Sequence, residues 1–273
     1  MSASMRRLRG AAASWGVLLL ALSMGLTACR DEGGEGDGAQ TKTTVDQAAE
    51  RRRTYCDTSL KLETVPPPVL DVAALSPAQQ RAEVQKFIGE KVLPLMNQIE
   101  PLVPQEIKTE ANLLIAKTRE ISQSGDISVF GQPDVQAAET RVHAYDLQNC
   151  GWKRVDVIGT DYAFQGIPPT LAAGPASFEL ANKGREDHEI ILLRIKDGVT
   201  EPFQQLIGLP RAQAQQRVEI VGSVDTTKPG QADYGVADLR PGRYGVACFL
   251  PVGGGQSGPP HTARGMLGEF TVS

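Results

Sequence analysis

The sequence predicts a multidomain chain, α-helical first and all-β afterwards, and three observations carry that expectation. From Val45 to Cys150 apolar residues recur at helical spacing, whereas after Cys150-Gly151 they alternate in short runs separated by Gly- and Pro-rich turns. With 273 residues, the chain is also long enough for two compact units once a targeting segment is set aside.

That targeting segment is the first element. Arg6, Arg7 and Arg9 precede an apolar run from Ala11 to Gly25, and Leu26-Thr27-Ala28-Cys29 follows. A positive region, an apolar stretch and small residues before a cut make a secretory signal peptide over residues 1–28. The apolar run falls short of the ~20 residues that span a bilayer. The four residues ending in Cys29 resemble the lipobox of bacterial lipoproteins, which implies a lipidated Cys29 and a protein anchored to the extracytoplasmic face of the cell membrane rather than spanning it. Cleavage removes Arg6, Arg7 and Arg9 and no acid, so a chain of net charge -4 becomes more acidic. No clustered Lys/Arg face for nucleic acid remains, since Arg51-Arg52-Arg53 sits beside Glu50 in a polar, helix-like stretch. Residues 29–44, rich in Gly and acids, read as a disordered tether.

Residues 45–150 read as an antiparallel bundle of four helices. The first runs from about Val45 to Leu60, and Pro66-Pro67-Pro68 breaks the chain after it. Val84, Ile88, Val92, Leu95 and Ile99 mark one stripe; Ile107, Ala111, Leu114 and Ile121 a second; Val135, Ala138, Val142 and Tyr145 a third. Ser76-Pro77-Ala78-Gln79 is a capping box with Pro at the first helical position, and Gly125 is a stop. His143 and Asp146 lie one turn apart and read as a surface ion pair, because a metal site needs three or four convergent ligands.

Export places the cysteines in an oxidising compartment. With Cys29 used by the anchor, Cys56, Cys150 and Cys248 remain. Cys56 and Cys150 bracket the helical segment and are expected to close it as a disulfide, contributing on the order of 4 kcal/mol in the chain-entropy model. Pairing of Cys248 with one of them is the alternative.

Residues 151–273 carry the strands: Phe178 and Leu180; Ile190 and Leu192; Tyr244, Val246, Cys248 and Leu250; Phe270 and Val272. Alternation puts Cys248 on the face of Tyr244 and Val246. Between them, Lys196 to Asp238 exceeds a simple hairpin, with short helices expected over 201–207 and 211–217 that cover a sheet edge.

The stretch from Phe178 through Gly184 to His188, that from Gly242 to Cys248, and that from His261 through Met266 to Val272 form three blocks that together resemble the cupredoxin family, which implies a Greek-key β-sandwich. Phe178-Glu179-Leu180-Ala181-Asn182-Lys183-Gly184 followed by Arg185-Glu186-Asp187-His188 is similar to the strand end that delivers the family's first His ligand. Gly242-Arg243-Tyr244-Gly245-Val246-Ala247-Cys248 is similar to the strand ending in its thiolate, and His261 through Met266 to Val272 to the segment bearing its second imidazole and axial thioether. The resemblance implies a type 1 copper site of His188, Cys248, His261 and Met266, which passes single electrons. The sequence departs from the short-turn members in that residues 249–260 separate Cys248 from His261, although longer turns occur in the family's copper nitrite reductases. In a metal-free member His188 and His261 satisfy backbone groups, Met266 fills core and Cys248 is an inert thiol, leaving a binding or scaffolding lipoprotein of the cell envelope. No Ser-His-Asp set, paired-carboxylate frame or phosphate loop is recognisable, and the chain holds only three His, so the expectation is no enzyme but a lipoprotein with a redox or envelope protein as partner.

Overall fold

The computed structural model describes residues 37–66, 75–254 and 258–273. Cys29, the expected signal peptide over 1–28 and the tether as far as residue 36 lie outside them. Thr43–Ser273 forms one compact unit, in which helices and sandwich pack together. No helix among the described residues is long and apolar enough to cross a membrane.

Helix α1 spans Asp37–Glu63, so residues 37–44, expected as tether, are helical; after Gly38 that stretch contains no Gly or Pro to stop it. Helix α2, Pro77–Phe87, starts at the capping box: the Ser76 hydroxyl accepts from the Gln79 N–H, and the Gln79 side chain accepts from the Ser76 N–H at 2.9 Å. A π turn over Ile88–Val92 separates α2 from α3, Leu93–Ile99. Pro94 explains the break, because it has no N–H to continue the ladder and its ring crowds the preceding turn. Helix α4, Lys108–Ser124, ends at Gly125 with φ +67°, a left-handed stop pressed against Arg81. Helix α5, Pro133–Asn149, ends at Cys150, which forms a disulfide with Cys56 of α1. The bundle core comprises Tyr55, Ile99, Val103, Ile107 and Ala111 in one cluster and Ile88, Ile121 and Val129 in another.

The expected surface pair of His143 and Asp146 is not formed. Asp146 is fully buried and accepts hydrogen bonds from the Tyr55 hydroxyl at 2.8 Å and the Ser59 hydroxyl at 2.5 Å. His143 instead meets Glu63 at 3.3 Å. The cause is that α5 packs between α1 and the sandwich, where the Thr140 hydroxyl donates to Asp233 at 3.1 Å. Burial alone would lower the His143 pKa, but the Glu63 carboxylate, its hydrogen bond, Asp146 and Asp233 raise it from 6.5 to about 10. The folded value lies above the unfolded one, so this stabilisation is complete below pH 6.5 and is lost as pH rises through about 10. Urea midpoints measured across that window are therefore expected to fall more steeply for the native chain than for His143→Gln.

The sandwich begins with β1 (Lys153–Thr160), β2 (Ala163–Gln165), β3 (Thr170–Leu171), β4 (Gly174–Asn182) and β5 (His188–Ile195). Two short helices, α6 (Phe203–Ile207) and α7 (Arg211–Arg217), lead to β6 (Val218–Thr227), β7 (Ala232–Leu239), β8 (Gly242–Ala247) and β9 (Leu267–Val272). One sheet has the order β2-β1-β4-β7, the other β3-β9-β8-β5-β6. Strands β1/β4 and β3/β9 are parallel and the other pairs antiparallel. Consecutive strands β6 and β7 therefore belong to different sheets. Gly235 lets the chain cross closely there, because a Cβ on it would meet the Ser223 carbonyl at 1.8 Å. Phe178, Leu180, Ile190, Leu192, Val224, Tyr244, Val246 and Phe270 fill the interior.

Helices α6 and α7 were expected to cover an edge. Helix α6 covers the outer face of the five-stranded sheet, where Phe203 and Leu206 pack with Leu193, Ile195, Val218 and Ala247, and α7 lies against β6, the edge strand of that sheet. Strands β5 and β8 are thereby buried on both faces. A Cβ on Gly245 would lie 2.3 Å from the fully buried Phe203 ring. Gly245→Ala is expected to cost about 1–3 kcal/mol through overpacking, read as a lower urea midpoint.

Candidate metal centre

Each predicted ligand sits where a strand meets a loop at one end of the sandwich. His188 opens β5 and is paired with Thr227 of β6. Its approach loop is fixed by Asn182, whose side-chain amide donates to the Glu186 and Thr227 carbonyls at 2.8 and 2.7 Å and whose oxygen accepts from Gly184 N–H at 2.8 Å. Cys248 follows the last residue of β8, on the interior side shared by Tyr244 and Val246. His261 opens a 3₁₀ turn over His261–Arg264, and Met266 stands between that turn and β9.

The long connection from Cys248 closes on itself. Pro251 and Pro260 form a β-bridge and the Val252 N–H donates to the Pro259 carbonyl at 3.0 Å, so the two ends of the connection stay together. The His261 N–H donates to the Leu250 carbonyl at 2.9 Å, and the Thr262 N–H to the Cys248 carbonyl at 3.1 Å. Met266 is held by the same network: its N–H donates to the His261 carbonyl at 3.1 Å, and its carbonyl accepts from the Cys248 N–H at 3.2 Å.

His188, Cys248 and His261 meet with their ligand atoms within 4.8 Å of one another. The His261 Nδ1 lies 3.3 Å from the His188 Nδ1 and 3.3 Å from the Cys248 Sγ. Relative exposures are 0% for His188, Cys248 and Met266 and 1% for His261, so bulk water is excluded from all four. Burial pushes the Cys248 thiol up to about 11. Burial, then the neighbouring His261, holds His188 below its ordinary value, so its imidazole is neutral.

Beyond the expected set the structure adds two carboxylates. Asp161 Oδ1 lies 3.6 Å from His188 Nε2 and accepts from the Arg185 N–H at 2.7 Å. That backbone hydrogen bond, together with the Arg185 guanidinium, holds Asp161 down at about 2. Glu186 Oε2 lies 3.1 Å from His261 Nε2. Tyr162, between these loops at φ +67°, places its ring edge-on to His261 with centroids 5.2 Å apart. Gly184 must be glycine for this packing, since a Cβ would lie 2.5 Å from Asp161 Oδ1 and 2.6 Å from His188 Nε2. Glu186 and Gly184 belong to a block visible in the sequence, but their contacts with distant loops leave no local signal. The unusual φ of Tyr162 leaves none either.

The donor set fits a soft to borderline cation. With both Nε2 atoms turned toward carboxylates, the two Nδ1 atoms face each other and the His261 Nδ1 also faces the Cys248 thiol, so the ring nitrogens able to ligate lie together beside the sulfur. Among the described residues the buried His188 Nε2 has no hydrogen-bond partner. A protonated thiol cannot satisfy both imidazoles, whereas one metal ion would take all three donors. The region is thus a cupredoxin-like sandwich with a His-Cys-His group able to hold copper.

No family model matches the chain, and no curated protein matches it. Solved structures similar to it include reduced auracyanin from Roseiflexus castenholzii, at 19% identity and TM-score 0.32, covering 44% of this chain and 97% of that one. Auracyanin A, described as a "blue" copper protein from Chloroflexus aurantiacus, is 16% identical at TM-score 0.30, covering 45% and 100%. An azurin from Methylomonas sp. strain J is 13% identical at TM-score 0.30, covering 44% and 98%.

Proposed function

We propose that this is a lipoprotein anchored through Cys29 at the extracytoplasmic face of the cell membrane, whose sandwich holds one type 1 copper ion and carries single electrons. The observation supporting it is the meeting of the His188 Nδ1, His261 Nδ1 and Cys248 Sγ atoms in a fully buried pocket. Copper there would supply a one-electron couple. His188, His261 and Cys248 would be the strong donors, with Met266 as a weaker thioether donor. The chain's own residues hold that geometry fixed. Strands β5 and β8 are buried on both faces, and hydrogen bonds tie Met266 to both His261 and Cys248, so the donors have little room to move between oxidation states. Tight packing also keeps water from completing a larger coordination sphere. A single such centre transfers electrons and does not turn over substrate, so the partner is a redox protein of the envelope.

Voltammetry of the copper-loaded chain tests the electron-transfer part. A reversible one-electron wave that disappears in Cys248→Ser is expected; a native chain without a wave would leave a metal-free binding or scaffolding protein. Cell fractionation tests the anchor, with the native protein expected in the membrane fraction and Cys29→Ala released from it.

A further inference from the structure

Glu186 gathers three groups from two other loops. Its Oε1 accepts from the Tyr162 hydroxyl at 2.7 Å, and its Oε2 accepts from the Gly253 N–H at 2.7 Å and faces His261 Nε2 at 3.1 Å. Tyr162 lies just beyond β1, Glu186 in the loop before β5, and Gly253 in the long connection between Cys248 and His261. A carboxylate accepts only, so the imidazole facing it must present Nε2–H. A neutral ring protonated there carries its lone pair on Nδ1, the atom that faces Cys248 and His188.

We propose that Glu186 is the positioning residue of this centre: by accepting the His261 Nε2–H and the Gly253 N–H it selects the tautomer that points a lone pair at the metal position and pins the 249–260 loop so that His261 returns to Cys248. The arrangement answers the difficulty posed by the length of that loop, since a long connection restrains its end residues weakly unless something holds it between them. The backbone bridge from Pro251 to Pro260 closes the loop on itself, and Glu186 fastens the closed loop to the His188 side of the pocket. Carboxylate partners of this kind raise the donor strength of a ligating imidazole, and losing one costs about 10- to 100-fold in metal affinity.

The metal-affinity consequence rests on the copper reading, whereas the tautomer and the loop do not, and the test separates them. Nitrogen-15 NMR of the metal-free protein, at a pH where the ring is neutral, is expected to show His261 protonated at Nε2 only. Glu186→Ala is expected to give a tautomer mixture and to remove hydrogen-exchange protection from Gly253, with the remaining amides of β5 and β8 still protected as the sign of an intact fold. Glu186→Gln keeps an acceptor oxygen and is expected to restore both signals. In competition titrations with Cu(II), Glu186→Ala is expected to bind about 10- to 100-fold more weakly than the native chain. A native His261 protonated at Nδ1, or a folded Glu186→Ala with native tautomer and native Gly253 protection, would overturn the proposal. A native chain that binds no Cu(II) while the NMR results hold would overturn the copper reading and leave the positioning role standing.

Discussion

Replacing Cys56 and Cys150 together by Ala is expected to lower the stability of the chain by about 4.5 kcal/mol, the chain-entropy cost of freeing a loop whose ends are 94 residues apart. At about 2–4 °C per kcal/mol for a protein of this size, calorimetry is expected to show a melting temperature lower by about 10 °C or more. The bond joins α1 directly to the end of α5, and every other helix of the bundle lies between them in sequence. Without it α1 is retained by packing such as Tyr55 against Tyr145, with ring centroids 6.0 Å apart, by the hydrogen bonds to Asp146 and by the Glu63–His143 pair. An unchanged melting temperature would mean that the unfolded chain keeps these helices together and that the bond restrains little.

Asp146→Ala is expected to cost about 3 kcal/mol, because two buried hydroxyls, those of Tyr55 and Ser59, lose their common acceptor. Burial raises the Asp146 pKa to about 6 against the opposing hydrogen bonds from Ser59 and Tyr55 and the nearby His143, which favour the carboxylate. Asp146→Asn keeps one carbonyl acceptor and is expected to cost less, about 1 kcal/mol. Denaturant titration of the two variants checks the order, and an Ala variant no worse than the Asn variant would refute the acceptor role.

These two sites show how far the residues speak for themselves. The Ser76–Gln79 capping box and the Gly125 stop are local signals, complete within one turn, and the structure uses both. The change from helical to alternating spacing at Cys150-Gly151 marks the point where α5 gives way to β1. His188, Cys248 and His261 were legible because each lies within a short block whose order along the chain is itself informative, and the structure brings them together. Asp146 was not legible: its partners are 91 and 87 residues away on α1, and on its own helix an acid beside a His reads as solvated. Strands β6 and β7 were hidden for another reason. A register shift interrupts the pairing of β6 with β5, and Gly222 and Gly235 stand where alternating apolar residues would have marked the strands. The placement of α6 on a face was illegible because Phe203 and Leu206 reveal that they are buried, but not against what.

The second row around the centre follows the same rule. Asp161, Tyr162 and Glu186 touch the histidines from loops far apart in sequence, so only the folded chain shows that each imidazole has a carboxylate behind it.

The most direct measurement is the visible and EPR spectrum of the lipid-free chain, residues 30–273, titrated with Cu(II) beside Cys248→Ser. An intense blue thiolate-to-copper band at one equivalent, with narrow hyperfine splitting and complete loss in the variant, is the expected result. A colourless native chain, or weak absorption that survives Cys248→Ser, would contradict a copper centre built on His188, Cys248 and His261.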